Sequence, residues 1–280
     1  MDEYKQIKAT SKTGKEPVTC DGNNTRYTLL DFWRWSVSDI LSNATRGRFA
    51  EFIVGTAIGL DPKNIREEWN AFDLTTNEGI KIEVKSASYI QSWYQKELSN
   101  ILFSIRPSKY WDAETNIQCG EPKRHADVYV FCLLKHQDKF TVDPLKLEQW
   151  DFYILPTYRL DNYRRSQSSI TINSLKKMGT RKHYNELRNE IMSAYEEQSQ
   201  FKELQYRNKV KCPICNEKMV EIVYGFPSIE TANLAEQRMV FIGGCCISED
   251  SPDYHCYKCR KSFSKDFKTI FDEDDDWILK

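Results

Sequence analysis

Residues 69–85, W-N-A-F-D-L-T-T-N-E-G-I-K-I-E-V-K, hold the side chains of this chain best suited to chemistry. Ile80, Ile82 and Val84 alternate with Lys81, Glu83 and Lys85, the period of two that gives a strand one apolar and one polar side. Upstream, Phe72 and Leu74 alternate with Asp73. Between the two runs, Asn77-Glu78-Gly79 suits a three-residue hairpin loop whose last position takes a left-handed glycine. Folding the runs about that loop sets Asp73 opposite Glu83. Two facing carboxylates destabilise a sheet by roughly 0.2–1 kcal/mol or more unless a cation lies between them. A divalent metal is the obvious cation, and Lys85 follows on the same face. Carboxylates, a hard metal ion and a lysine are the parts needed for water attack on a phosphodiester. The plain alternative is a solvated strand face.

Asp73, nine residues, then Glu83-Val84-Lys85 resembles the PD-(D/E)xK motif of restriction-endonuclease-like nucleases, with Phe72 where that motif has proline. The resemblance implies an α/β (α+β) restriction-endonuclease-like core, a central mixed sheet flanked by helices. It also implies that Asp73 and Glu83 hold Mg²⁺ (or Mn²⁺) and that Lys85 orients or activates the attacking water. Polar residues just after the motif lysine approach the phosphate or the metal-bound water in this family, which makes Gln91 an accessory candidate beside the plain reading of a surface glutamine.

Upstream, N-A-T-R-G-R-F-A-E-F-I-V-G-T-A-I-G reads as a helix with Asn43 as its cap and Gly59 as its terminator. Gly47 and Gly55 flank Glu51 at a spacing of four, on one helical face. Each interior glycine costs about 1 kcal/mol, so another element is expected to approach that face closely, with Glu51 turned toward it. By the same resemblance Glu51 completes the metal site. The alternative is an ion pair with Arg48 or another surface base.

Charged residues make up 29% and hydrophobic residues 40% of 280, a composition of globular domains rather than of disorder. The length suits one full domain and a small appended module. No apolar run approaches the roughly 20 residues that span a membrane, and no signal peptide is read at the start. A soluble, cytoplasmic protein with no membrane partner is expected. A formal net charge of −1 argues against a general polyanion binder. Its distribution is uneven, however: Arg159, Arg164, Arg165, Lys176, Lys177, Arg181 and Lys182 crowd one segment, while residues 272–276 are all acidic. Segregated charge is compatible with a local DNA-binding face.

The chain divides into a loose polar arm (1–26), a nuclease-like domain (27–195), a linker or helix extension (196–210), a cysteine module (211–265) and an acidic tail (266–280). Tyr27–Ser42, with Phe32, Trp33 and Trp35 at helical spacing, reads as core packing. Residues 126–134, A-D-V-Y-V-F-C-L-L, read as a central buried strand, and Trp150–Pro156 as another. Arg106-Pro107-Ser108-Lys109 and Pro122-Lys123-Arg124-His125 flank a loop whose bases could meet a DNA backbone.

In the C-terminal part, Cys212-Pro213-Ile214-Cys215 and Cys256-Tyr257-Lys258-Cys259 are paired knuckles 40 residues apart. Four thiolates from two tight turns form a closed tetrahedral Zn²⁺ site of the structural kind, and the module resembles a zinc ribbon. Residues 230–238 suit a helix inserted between the pairs. A disulfide reading needs an oxidising compartment. Cys245 and Cys246 read as small core residues, with replacement of one ligand as the alternative. Cys20, Cys119 and Cys132 read as free thiols, and His255 as a neighbour of the metal site.

Taken together, the residues point to a metal-dependent DNA endonuclease with a zinc-ribbon accessory module. The resemblance adds a bacterial restriction or anti-phage role. Double-stranded DNA is the expected partner, with a homodimer or a protein docked through the ribbon as further expectations. Two other readings stand beside it: a non-catalytic nucleic-acid-binding or scaffold protein, and a structure-specific repair or junction nuclease.

Overall fold

The computed structural model describes residues 7–66, 70–112, 117–163, 165–207, 210–244, 247, 251–267 and 270–272. It separates into two compact units, residues 1–198 and 199–280.

The first unit opens with an antiparallel hairpin, β1 (Pro17–Cys20) and β2 (Asn23–Thr28), inside the segment expected to be a loose arm. Helix α1 (Leu29–Val37) follows and buries none of its residues; Phe32 and Trp35 are 51% and 83% exposed. The expectation of core packing there is corrected. Helical spacing shows that a segment has an apolar stripe, but not that anything covers it.

Helix α2 (Asn43–Ala57) starts one residue earlier than expected, with Ser42 in the cap position and the Asn43 side chain accepting from Arg46 instead. Its end matches the expectation. Gly59 has φ +88°, the Leu60 N–H reaches Gly55 O at 2.8 Å, and the Gly59 N–H reaches Thr56 O at 3.2 Å. This is a Schellman stop. The reason inferred for the other two glycines does not hold. A Cβ on Gly47 would meet open space, and one on Gly55 would strike Leu60 of the helix's own stop at 2.8 Å.

Next come β3 (Leu74–Thr75), β4 (Lys81–Ser88), β5 (Leu102–Ser104), β6 (Ser108–Asp112), β7 (Ile117–Lys123), β8 (Val128–Leu134) and β9 (Trp150–Pro156). The main sheet runs β3-β4-β8-β9 and is mixed, β4 and β8 being parallel and the other neighbours antiparallel. Every residue of β8 is buried, as its unbroken apolar run requires for a strand covered on both faces. Val130 and Cys132 face Ala50, Ile53 and Val54 of α2. Tyr129, Phe131 and Leu133 face the opposite way, toward Phe103 and Ile105. Cys132 is thus a buried free thiol whose pKa burial pushes up.

Helices α3 (Thr157–Asp161), α4 (Ile172–Met178) and α5 (Leu187–Arg207) finish this part, with β10 (Ser169–Thr171) pairing β5. Leu187, Ile191 and Ala194 of α5 pack on the same side of the sheet as α2. The stretch expected to be a loop between two basic tetrads is instead the two-stranded ribbon β6–β7. Arg124 is not free to meet DNA: it is buried on Ile105 O and Asp161. The basic segment 159–182 is also quieter than its spelling, since Arg159, Arg181 and Lys182 lie beside Glu197, Asp151 and Glu190. Arg164 lies outside the described residues.

The second unit holds β11 (Val220–Val223), α6 (Ile229–Glu236), β12 (Phe241–Ile242), β13 (Tyr254–Cys256), β14 (Lys261–Phe263) and β15 (Ile270–Asp272). They form one sheet, β12-β11-β13-β14-β15, over a core of Cys212, Met219, Cys256 and Phe263. The segment read as an acidic tail therefore supplies an edge strand, and α6 falls where an inserted helix was expected. Cys245, Cys246 and the acidic residues from Glu273 onward lie outside the described residues, as do Trp69 and the side chain of Cys119. The structure is mixed α+β, and no helix among the described residues is long and apolar enough to cross a membrane.

Candidate active site

The hairpin forms in the expected register. Leu74 pairs with Ile82 and Thr75 with Lys81, Gly79 has φ +85°, and Thr76 closes the loop on Ile80 at 3.0 Å. One residue beyond Leu74 the ladder shifts, and the Asp73 N–H donates at 3.0 Å to the carbonyl of Ile82, the residue before Glu83. Strand β3 ends there, so the edge of β4 beyond Ile82 lacks its strand partner. The Asp73 carboxylate substitutes for one, accepting from the Val84 N–H at 2.7 Å. An unpaired buried N–H costs about 1–3 kcal/mol, and this contact both removes that cost and fixes where Asp73 points.

Glu83 and Lys85 alternate with the core residue Val84, and the Lys85 ammonium donates to the Glu83 carboxylate. Burial raises the Glu83 pKa; Lys85 offsets this, and the nearby charges of Asp73 and Glu51 add to the rise. Glu51 is raised too, first by burial and then by Asp73, with the Arg66 hydrogen bond working against both. Three carboxylates thus sit within one another's field.

Two clefts meet at Asp73. One, of about 410 Å³, has Arg48, Glu51 and Arg66 in its wall; the other, of about 420 Å³, has Glu83. Arg66 grips Glu51 through Nε and through Nη2 at 3.1 Å, and its Nη2 stands 4.0 Å from Asp73. Glu51 therefore has the basic partner that the alternative reading foresaw, but that partner also reaches toward Asp73. The carboxylate oxygens are not gathered as tightly as the thiolates. Among the described residues, only Cys212, Cys215, Cys256 and Cys259 bring three or more ligand atoms within 4.8 Å of one another. The oxygens are hard donors of the kind Mg²⁺ prefers, and Arg66 and Lys85 now hold the positive charge that a metal would supply.

Gln91 does not join this group. Its carbonyl accepts from Arg46 at 3.3 Å and its NH₂ donates to Ser88 O and Ser99 Oγ. Arg46 in turn donates to Ser86 Oγ at 3.4 Å, so Gln91 helps fasten α2 to β4.

Three contributors were missed from the sequence. Arg66 lies on a stretch without periodicity. Tyr129 pairs in register with Glu83, and burial together with that carboxylate's charge raises its pKa, keeping its hydroxyl protonated. Arg188 ties the α2 stop to the hairpin tip, donating to Ile58 O at 2.8 Å and to Glu78 at 3.1 Å. Only the fold brings these residues to the hairpin.

The four cysteines form a second centre. In both knuckles the residue after the second cysteine is left-handed, Asn216 at φ 59° and Arg260 at φ 55°. Its N–H returns to the first cysteine's carbonyl at 2.9 and 2.8 Å. The sulfurs of Cys212 and Cys259 are 3.7 Å apart, those of Cys215 and Cys256 3.6 Å. Tetrahedral Zn²⁺ with bonds of about 2.3 Å needs sulfurs roughly 3.8 Å apart; a disulfide needs about 2.0 Å. The cluster could hold a zinc ion and is not disulfide-bonded.

Residues 15–174, more than half of the chain and including Glu51 and the whole hairpin, match the family model described as bacteriophage T4 endonuclease IV. No curated protein matches the chain. With the family model covering this much of it, the chain belongs to the bacteriophage T4 endonuclease IV family and is a DNA endonuclease.

Proposed function

We propose that the chain is a divalent-metal-dependent DNA endonuclease of PD-(D/E)xK type, acting in the cytoplasm. The observation that carries this reading is the hairpin, in which the Asp73 carboxylate accepts from the N–H of Val84, the residue between Glu83 and Lys85. Asp73, Glu83 and Glu51 would hold Mg²⁺ or Mn²⁺. The ion would supply electrophilic stabilisation of the phosphodiester oxygens and an acidified water.

The chain's own residues do the rest. The Val84 N–H fixes the Asp73 carboxylate, and Tyr129 with Lys85 brackets Glu83. Lys85 is the cation that donates to Glu83, and it would orient the attacking water. The cysteine centre would hold structural Zn²⁺ and help engage DNA or a partner protein. Duplex DNA and a homodimer are the partners we favour. A role in restriction or anti-phage defence rests on the restriction-endonuclease-like spacing of Asp73, Glu83 and Lys85.

The test is cleavage of supercoiled plasmid, single-stranded and branched DNA with Mg²⁺ or Mn²⁺, comparing wild type with Glu83→Ala and Lys85→Ala. Metal-dependent cutting lost in both variants supports the assignment. Undiminished cutting by folded Glu83→Ala rejects this site, and preferential cutting of branched DNA moves the reading to a junction nuclease. Phage plaque counts on cells with and without the active protein test the defence role.

A further inference from the structure

The cleft of about 420 Å³ beside Asp73 and Glu83 has a second wall that the hydrolytic residues leave unexplained. That wall is the β6–β7 ribbon. Lys109 lies on β6 at an irregularity of the ribbon, two residues before Trp111, and Gln118 of β7 pairs directly with Trp111. All three line the cleft, as does Phe72 from the catalytic hairpin. Phe72 stands where the PD-(D/E)xK motif has proline, so this departure brings an aromatic ring to the cleft.

Resting on the nuclease reading above, we propose that this cleft is a nucleotide subsite. It takes the base that adjoins the scissile phosphate, drawn out of its stack, against Trp111. The volume falls in the range of small-molecule sites, roughly 300–1,000 Å³. The chemistry is that of a nucleotide: an indole face for the base, a primary amide on Gln118 to meet a base edge, and the Lys109 ammonium for a neighbouring phosphate. The carboxylates at the floor would repel a phosphate lodged there without metal, which directs the anionic part of the nucleotide toward Lys109 and the metal-binding oxygens. An amide that can donate and accept discriminates among base edges, so Gln118 is assigned the choice of base next to the cut.

The test uses the full chain with Ca²⁺ replacing Mg²⁺ and a fluorescein-labelled DNA oligonucleotide of mixed sequence. Affinity is compared among wild type, Trp111→Ala, Trp111→Phe, Gln118→Ala and Glu83→Ala. Loss of one base–aromatic stack should weaken binding by between about fivefold and a hundredfold in Trp111→Ala. Trp111→Phe should keep most of the affinity. Sequencing of cut ends made with Mg²⁺ should show a changed base frequency beside the cut for Gln118→Ala. Binding by Trp111→Ala within twofold of wild type, or no oligonucleotide binding by wild type, overturns the subsite. A wild type that binds through Trp111 but never cuts would instead reject the metal-nuclease reading and leave the subsite standing.

Discussion

Replacing Arg66 should tighten metal binding. Its guanidinium holds both oxygens of Glu51 and reaches toward Asp73, so under the proposed assignment an incoming divalent ion must first displace it. The Glu51 side chain is 13% exposed and that of Arg66 37%, which puts the pair between a surface ion pair, worth about 0.2–1 kcal/mol, and a charged hydrogen bond out of water, worth about 1.5–3 kcal/mol. About 1–2 kcal/mol is a fair middle value. Removing that competition should raise metal affinity by a factor of about 5–30. Calorimetric titration of Ca²⁺ or Mg²⁺ into wild type and Arg66→Ala measures this without any turnover. Mildly alkaline buffer keeps Glu51 ionised despite its raised pKa. Equal or weaker binding by Arg66→Ala would refute the competition and remove Glu51 from the metal site.

Two further outcomes follow from the same charges and from the cysteines. Glu51 and Glu83 have folded-state pKa values above the ordinary 4.5, so the folded chain without metal binds more protons than the unfolded chain. Their stabilising contribution is present below that value and is lost as pH rises through the raised ones. Urea midpoints measured across this window should therefore fall with rising pH for wild type and fall less for Glu83→Gln, which should be more stable at neutral pH by about 0.5–2 kcal/mol while losing cleavage; parallel curves would contradict the charge crowding. For the second centre, elemental analysis should find one zinc per chain, and chelation or Cys259→Ser should abolish the dispersed amide signals of residues 211–263. Retention of those signals without zinc would rule out a structural metal.

The parts of this protein written plainly in the sequence are those fixed by short-range periodicity and spacing. Alternation placed Glu83 and Lys85 opposite Val84, and the loop Asn77-Glu78-Gly79 set the register that the structure shows. The unbroken apolar run of β8 announced its burial, and the two C-x-x-C turns announced a four-sulfur cluster. Features that depend on a partner distant in the chain were not legible. Arg66 meets Glu51 from fifteen residues away, and Arg188 reaches Glu78 across 110. Gly55 was misread because its need is local, a seat for Leu60, whereas Gly47 faces open space and we have no physical account of it. The stripe of α1 is the same lesson reversed. Amphipathicity is a property of the segment, but burial belongs to what lies across from it.

The two candidate metal centres should differ in how metal couples to folding. Around the carboxylates, Arg66 and Lys85 already provide positive charge, and the Val84 N–H fixes Asp73, so this region is electrostatically closed without an ion. Under the proposed assignment, metal there would exchange with side-chain cations and add only RT ln(1 + [L]/Kd), about 2.7 kcal/mol at a hundredfold excess over Kd. The four sulfurs have chiefly one another for neighbours, at 3.6 and 3.7 Å, and the small core above them is built from two of those same cysteines with Met219 and Phe263. Deprotonated sulfurs at that spacing repel unless an ion joins them, and structural zinc typically contributes about 10–16 kcal/mol of apparent binding energy to folding. Adding Mg²⁺ to zinc-loaded protein should therefore raise the melting temperature by a few degrees at most. Removing zinc should unfold residues 211–263 outright. If Mg²⁺ proved the larger effect, the side-chain cations would not be balancing the carboxylates, and the account of Arg66 would fall with them.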